Sequence, residues 1–249
     1  MKSDRALDIL RDCRTVDHPK ARRGVAAALG EFKNERSAKY LSEMLDNDES
    51  YYVAMVSAAS LGKTQSKHAY DKLVAALDRE SHLEAIRSGA FFGLSSLKDE
   101  RAIEVATKWV RPGSPSRSRE AAIGVLGQLG EGKHQITDAL IDLLDDNWLR
   151  VRQSAVSALA RLKDPRAINP LRALASRDLD GRVVRDAREA ISTIRQGKNA
   201  PDDVKKLRVD VVALEEENMA LKQRLEKLEQ RVERNLNGNG RTMRRRRPK

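Results

Sequence analysis

The chain has 249 residues, 40% of them hydrophobic, 34% charged and only 4% aromatic. With 3 Phe, 2 Trp and 4 Tyr it cannot fill a thick aromatic core, and its Ala, Leu, Glu, Lys and Arg suit helices with thin, shallow cores. The net charge of +11 is mostly local: the last nine residues, RTMRRRRPK, hold six positive charges, and without them +5 remains on 240 residues.

Taken in chain order, MKSDRALDIL is charged and amphipathic and lacks the apolar stretch of a secretory signal. No run approaches 18 consecutive apolar residues, so no transmembrane helix is expected. The single cysteine, Cys13, rules out an internal disulfide and fits a reducing, cytoplasmic setting; its expected role is that of a small buried apolar side chain. From residue 17 onward one unit recurs at a spacing of 32 or 33: ARRGVAAALGEFKNERSAKYL from Ala21, VAMVSAASLGKTQSKHAYDKL from Val53, IRSGAFFGLSSLKDERAIEVA from Ile86, SREAAIGVLGQLGEGKHQITD from Ser118 and VRQSAVSALARLKDPRAINPL from Val151. A shortened copy, VVRDAREAISTIRQGKN, begins at Val183.

Each unit has two helical halves. In the first, small and apolar residues recur at helical spacing, as in Val151, Ala155, Ala158, Leu159 and Leu162. The second repeats the pattern with Ile136, Leu140, Leu143 and Leu144, or with Ile168, Leu171 and Leu174. Turn residues divide the halves at Gly30, Gly62, Lys98-Asp99, Gly130 and Asp164-Pro165, while Asp46, Asp48, Asp145 and Asp146 mark unit boundaries. Helix pairs this short cannot bury their apolar faces alone and must stack. The expected fold is all-α: a right-handed α-solenoid over residues 1–199, with units near 17–48, 49–80, 81–113, 114–147 and 148–180 and partial units at both ends. RALDILRDCR (5–14) reads as the second helix of an upstream unit, and an uncapped end is expected to expose Leu7 and Leu10.

The pattern V/A-R-x-x-A-x-x-A-L-G followed by D-x-R-A-I-x-x-L resembles the HEAT-like repeats also found in phycobilisome lyases, over roughly residues 1–196. SYYVAMVSAASLGKT and SHLEAIRSGAFFGLSSLKDERA, with the order of the following copies and the trailing coil, resemble the C-terminal helical-repeat region of aminopeptidase N-type zinc metallopeptidases. That resemblance implies a scaffold beside a catalytic domain, of which this chain could be a fragment. The family's His-Glu-x-x-His motif is absent: the histidines continue as His18-Pro19, His68-Ala69, His82-Leu83 and His134-Gln135. No catalytic, metal or cofactor residue is therefore carried over, and no enzyme activity is expected. The lack of any His-Glu dipeptide also argues against an iron hydroxylase of the HEAT-repeat type.

Gly62-Lys63-Thr64 ends as phosphate loops end, but Ser57 stands where the first glycine is required and no strand precedes it. Gly62 is read instead as a left-handed helix terminator. Arg22, Arg87, Arg119 and Arg152 occupy one register of the first helices, with Ala54 in the second unit; the turn aspartates are their expected partners. Trp109, Trp148, Tyr51, Tyr52, Phe91 and Phe92 could stack on bases in a HEAT-like DNA glycosylase, but repeat packing is expected to absorb most of them.

After Pro201 the period changes to a heptad over 200–236, with a residues Val204, Val211, Asn218, Leu225 and Val232 and d residues Leu207, Leu214, Leu221 and Leu228. Leucine at d with mostly β-branched residues at a, and one Asn at a, favours a two-stranded parallel coil, hence a homodimer. Glu217–Lys222 and Arg224–Glu229 would attract across it, whereas Asp210–Glu215 would repel. Residues 237–249 read as a disordered tail in which Arg241, Arg244, Arg245, Arg246, Arg247 and Lys249 could contact nucleic acid or another polyanion weakly. The leading expectation is a scaffold that binds a protein partner, with a nucleic-acid-associated protein and a phycobilin lyase-like protein as alternatives.

Overall fold

A computed structural model of the protein describes residues 4–198 and 221–222. Among these residues every regular element is a helix. A single helix, α1 (Asp4–Asp12), precedes five pairs: α2 (Pro19–Leu29) with α3 (Glu35–Asn47), α4 (Tyr51–Lys63) with α5 (Ala69–Ala76), α6 (Ala85–Leu97) with α7 (Arg101–Trp109), α8 (Ser116–Leu129) with α9 (His134–Asp142), and α10 (Leu149–Leu162) with α11 (Ile168–Arg177). A last helix, α12 (Gly181–Lys198), comes after the pairs. Met1–Arg195 form one compact unit and Gln196–Lys249 another; all five pairs lie in the first.

Local chemistry sets the helix starts. Pro19 opens α2, where its missing N–H is no loss, and Asn34 accepts a 2.8 Å hydrogen bond from the Ser37 N–H to cap α3. Asp164 caps the short turn before α11 by accepting from the Arg166 N–H at 3.0 Å, with Pro165 at its first position. The α6 and α10 helices end in left-handed residues, Lys98 and Lys163, with φ of 58° and 54°.

The core is a ribbon of Leu, Val, Ile and Ala shared between neighbouring pairs, and it includes Val151, Ala155, Ala158, Leu159 and Leu162 in α10. Successive first helices lie directly on one another, α2 on α4, α4 on α6, α6 on α8 and α8 on α10, whereas successive second helices make no comparable approach. A stack whose two layers differ in spacing bends toward the closer layer, so the first helices line the inner side of the solenoid.

Two expectations are corrected here. Gly62 is not a left-handed terminator: it lies inside α4, and the left-handed residue is Gln65, with φ of 59°. A Cβ at Gly62 would fall 1.9 Å from the Gly93 carbonyl oxygen of α6. The glycine is there because two helix backbones touch. Leu7 is not exposed, since α1 folds onto the first pair and buries it completely, and Leu10 is half-buried against the same core. Ile9 is the large apolar side chain of α1 left in solvent, at 56% exposure.

Candidate functional site

The arginine register builds a bracket at the unit boundaries. Arg22 Nε donates to Asp48 Oδ2 at 2.6 Å and Nη2 to Oδ1 at 3.0 Å, while Nη1 reaches the Val16 and Asp17 carbonyls at 3.0 and 2.8 Å. Arg152 repeats the arrangement on Asp178, at 2.8 and 3.3 Å, and on the Asp146 carbonyl at 2.9 Å. Arg119 holds Asp146 end-on, with Nη2 3.0 Å from Oδ1. Each aspartate also accepts the N–H two residues on, from Ser50, Trp148 and Asp180, at 2.9 Å in every case. Burial alone would push the Asp178 carboxyl up, but the hydrogen bonds from Arg152 and the Asp180 N–H hold it below its ordinary value. The Asp48 hydrogen bond raises the Arg22 guanidinium against the opposing effect of burial.

Arg87 departs from the pattern because Gly113, not aspartate, stands at the corresponding turn. Its Nε donates to the Leu77 carbonyl at 2.6 Å, its guanidinium lies 4.5 Å from the Trp109 ring centre, and it pairs with Glu84. Burial lowers its pKa. In all four arginines the donors are largely committed inside the solenoid, which leaves the turn edge little capacity for an external ligand.

Gly62-Lys63-Thr64 likewise has no open cradle. Thr64 is buried with its hydroxyl donating to the Leu61 carbonyl at 2.7 Å, and Lys63 faces Glu31 at 3.6 Å. The histidines sit at helix starts: His18 caps α2 by accepting from the Lys20 N–H at 3.1 Å, and His134 Nδ1 lies 3.1 Å from Asp164. Among the described residues no group of three or more His, Cys, Asp or Glu is placed to hold a metal, and no helix is long and apolar enough to cross a membrane. Cys13 is half-buried against the core.

The aromatics overturn the expectation that packing absorbs most of them. Phe91 is fully buried and meets Trp109 edge to face, 6.1 Å between ring centres. Tyr51, Tyr52, Phe92 and Trp148 are instead 47, 45, 56 and 62% exposed. A helix turns about 100° per residue, so of the adjacent pair Phe91-Phe92 one enters the core and the other leaves it.

Tyr52 and Met55 of α4, Leu83 before α6, Phe92 of α6 and Arg117 and Glu120 of α8 line one groove of about 550 Å³ on the first-helix face. Leu83 is half exposed and holds a left-handed backbone with φ of 52°, as does Glu84 at 58°; a residue with a Cβ adopts that conformation only at a cost of about 1–2 kcal/mol. Glu120 is half-buried and burial pushes its carboxyl up, opposed by the more distant Arg150 and Arg117. Sequence reasoning missed this groove. The available signal was a second apolar stripe on the first helices, Tyr52 and Met55 in one unit and Phe92 in the next, outside the core-facing register.

Of the heptad residues, Val204, Leu207, Val211, Leu214, Asn218, Leu225, Leu228 and Val232 lie outside the described residues, as do Arg241, Arg244, Arg245, Arg246, Arg247 and Lys249 of the tail. Leu221 is helical and 53% exposed.

A family model described as HEAT repeats matches residues 1–62 and 113–192. Among solved structures the chain is similar to the archaeal HEAT-like repeats protein from Thermococcus onnurineus NA1, at 16% identity and a TM-score of 0.51 over 78% of this chain and 88% of that one. It is also similar to a designed armadillo repeat protein in complex with the peptide (KR)4, at 16% identity and 0.50 over 77% and 100%. A third likeness is to the complex of CpcE and CpcF of phycocyanin lyase from Nostoc sp. PCC7120, at 20% identity and 0.49 over 78% and 84%. At these identities the likeness is one of fold. No curated protein matches the chain.

Proposed function

The chain belongs to the HEAT-repeat family, and from that premise we propose that it is a non-catalytic scaffold that binds a protein partner along its inner, first-helix face. The observation that carries this reading is the groove between α4, α6 and α8. There Tyr52, Leu83 and Phe92 stay in solvent although the same helices have buried a complete apolar face against their neighbours. Exposed apolar side chains gathered at one place, rimmed by charge, mark interaction surfaces. The brackets at the turns support the reading from the other side, because they satisfy their own charges and hold the units in register.

The heptad over 200–236 adds a second proposal, that the scaffold is presented as a homodimer, which rests on leucine at d and Asn218 at a. Kinship with the accessory region of aminopeptidase N-type enzymes rests on the stretches SYYVAMVSAASLGKT and SHLEAIRSGAFFGLSSLKDERA and would place the chain beside a catalytic domain.

Affinity purification with the tagged full chain tests the main reading. Partners recovered with the wild type are lost with Phe92→Ser and Tyr52→Ser and retained with Glu104→Ser on the exposed side of α7. Equal recovery by all three variants contradicts it.

A further inference from the structure

The exposed chemistry of the first-helix face has an order. Leu83 and Trp148 each stand four residues before a bracket arginine, Arg87 and Arg152, so they share one register two units apart; they are 50 and 62% exposed. Arg117 on α8 comes between them in the solenoid, and Arg150 follows Trp148 on α10 itself; each stands two residues before a register arginine and both are exposed. Neither guanidinium lies within ion-pair distance of a carboxylate among the described residues; the acid whose charge they feel in common is the more distant Glu120. Lys20 occupies the same register in the first pair and Ala85 in the third. The first helices therefore carry an apolar patch, Tyr52, Leu83 and Phe92, at α4 and α6, an uncommitted arginine, Arg117, on α8, and Trp148 with a second uncommitted arginine, Arg150, at the start of α10; Glu120 is the single acid among the residues lining the groove.

From this order we propose that the groove and its continuation to Trp148 bind a linear segment of a partner protein that is acidic at its centre and carries a bulky apolar side chain at each end. This rests on the scaffold reading above and names the chemistry of what the scaffold holds. Two helix-to-helix steps of about 10 Å separate the apolar points, which an extended chain at about 3.3 Å per residue spans with roughly six residues. One end would seat among Tyr52, Leu83 and Phe92, and the other would cover Trp148. The acids would take the guanidinium donors, which bind carboxylates through paired N–H groups. Aromatic residues and arginine are the side chains that most often dominate binding energy at interfaces. A basic segment would meet one half-buried carboxylate and two arginines, so charge disfavours it. A single-stranded nucleic acid could use the arginines and aromatics, but Glu120 lies within its path.

The test displays a library of short random-sequence peptides to the full chain and measures the enriched sequences by fluorescence anisotropy, with labelled oligo(dT) in parallel. The proposal expects enriched peptides with acids flanked by bulky apolar residues. It also expects affinity to fall about tenfold for each of Arg117→Glu and Arg150→Glu, and to be lost in Phe92→Ser and weakened in Trp148→Ser. These residues are exposed, so circular dichroism and thermal midpoint should match the wild type. Enrichment of basic peptides, or acidic peptides indifferent to Arg117 and Arg150, overturns this inference and leaves the scaffold reading standing. Binding of oligo(dT) alone, dependent on the same residues, overturns both in favour of nucleic acid. No enrichment of any kind and no oligo(dT) binding overturns both as well.

Discussion

Gly62→Ala adds one methyl group at the place where α4 and α6 lie closest. The new Cβ would fall 1.9 Å from the Gly93 oxygen, 2.5 Å from its carbonyl carbon and 2.6 Å from its Cα, whereas ordinary contact begins at 3.4 Å. All three obstructing atoms are backbone, so no side-chain rotation relieves the clash, and α6 would have to retreat by about 1.5 Å, the difference between 3.4 and 1.9. A gap of that order forfeits a large part of the dispersion contact along the interface, which includes the fully buried Ala58, Phe91 and Leu94. Overpacking of this kind costs about 3 kcal/mol, offset by about 1 kcal/mol from the better helix propensity of alanine. The expected net loss is about 2 kcal/mol. Gly124→Ala is the matched control: it too lies within a first helix, but nothing stands within 4 Å of its added Cβ, so it should gain about 0.5–1 kcal/mol. Urea unfolding followed by circular dichroism reads both, with midpoints compared because a repeat array can depart from two-state behaviour. If Gly62→Ala is neutral or stabilising, the account of close backbone packing in the inner layer is wrong.

Other expectations come from the brackets and from the heptad. Arg152→Ala strands the nearly buried Asp178 and should cost about 3 kcal/mol, while Arg152→Ala with Asp178→Ala should cost clearly less than the sum of the two single changes; additivity in that cycle would dissolve the bracket. Because the folded Asp178 carboxyl sits below its ordinary value of 3.8, its stabilisation is present above that value and is lost as pH falls through the lower, folded one. Asp99, held down by the Arg101 hydrogen bond, acts in the same direction. Stability should therefore drop on acidification below about pH 4, less steeply in Asp178→Asn, and an unchanged slope would contradict the assignment. Sedimentation of the full chain should give a dimer that becomes a monomer in Leu214→Pro with Leu221→Pro; equal masses would refute dimerisation through the heptad.

The repeat was legible because it is periodic: Val151, Ala155, Ala158, Leu159 and Leu162 declare a helix face without reference to anything distant, and aspartates facing the arginine register recur in three of the five units. What resisted reading depends on contacts between units. Gly62 ends an apolar run and is followed by Lys63-Thr64, which looks like a helix end, yet its reason is an α6 backbone thirty-one residues away, at Gly93. Leu7 looked stranded because a local pattern cannot show that α1 folds onto α2. The groove was hidden for a different reason. The α4 and α6 helices are apolar on nearly all sides, and such helices ordinarily read as wholly buried; only the register relative to the arginines separates Phe91 from Phe92.

The most direct test of the account is a hydrogen-exchange footprint of the full chain bound to a peptide or partner segment that it recognises. The account predicts added protection over 83–92 and 117–124 in the first helices, with the second helices α7 and α9 unchanged. Protection confined to those second helices, or to the bracketed turns around Asp48 and Asp146, would place the functional surface elsewhere and contradict it.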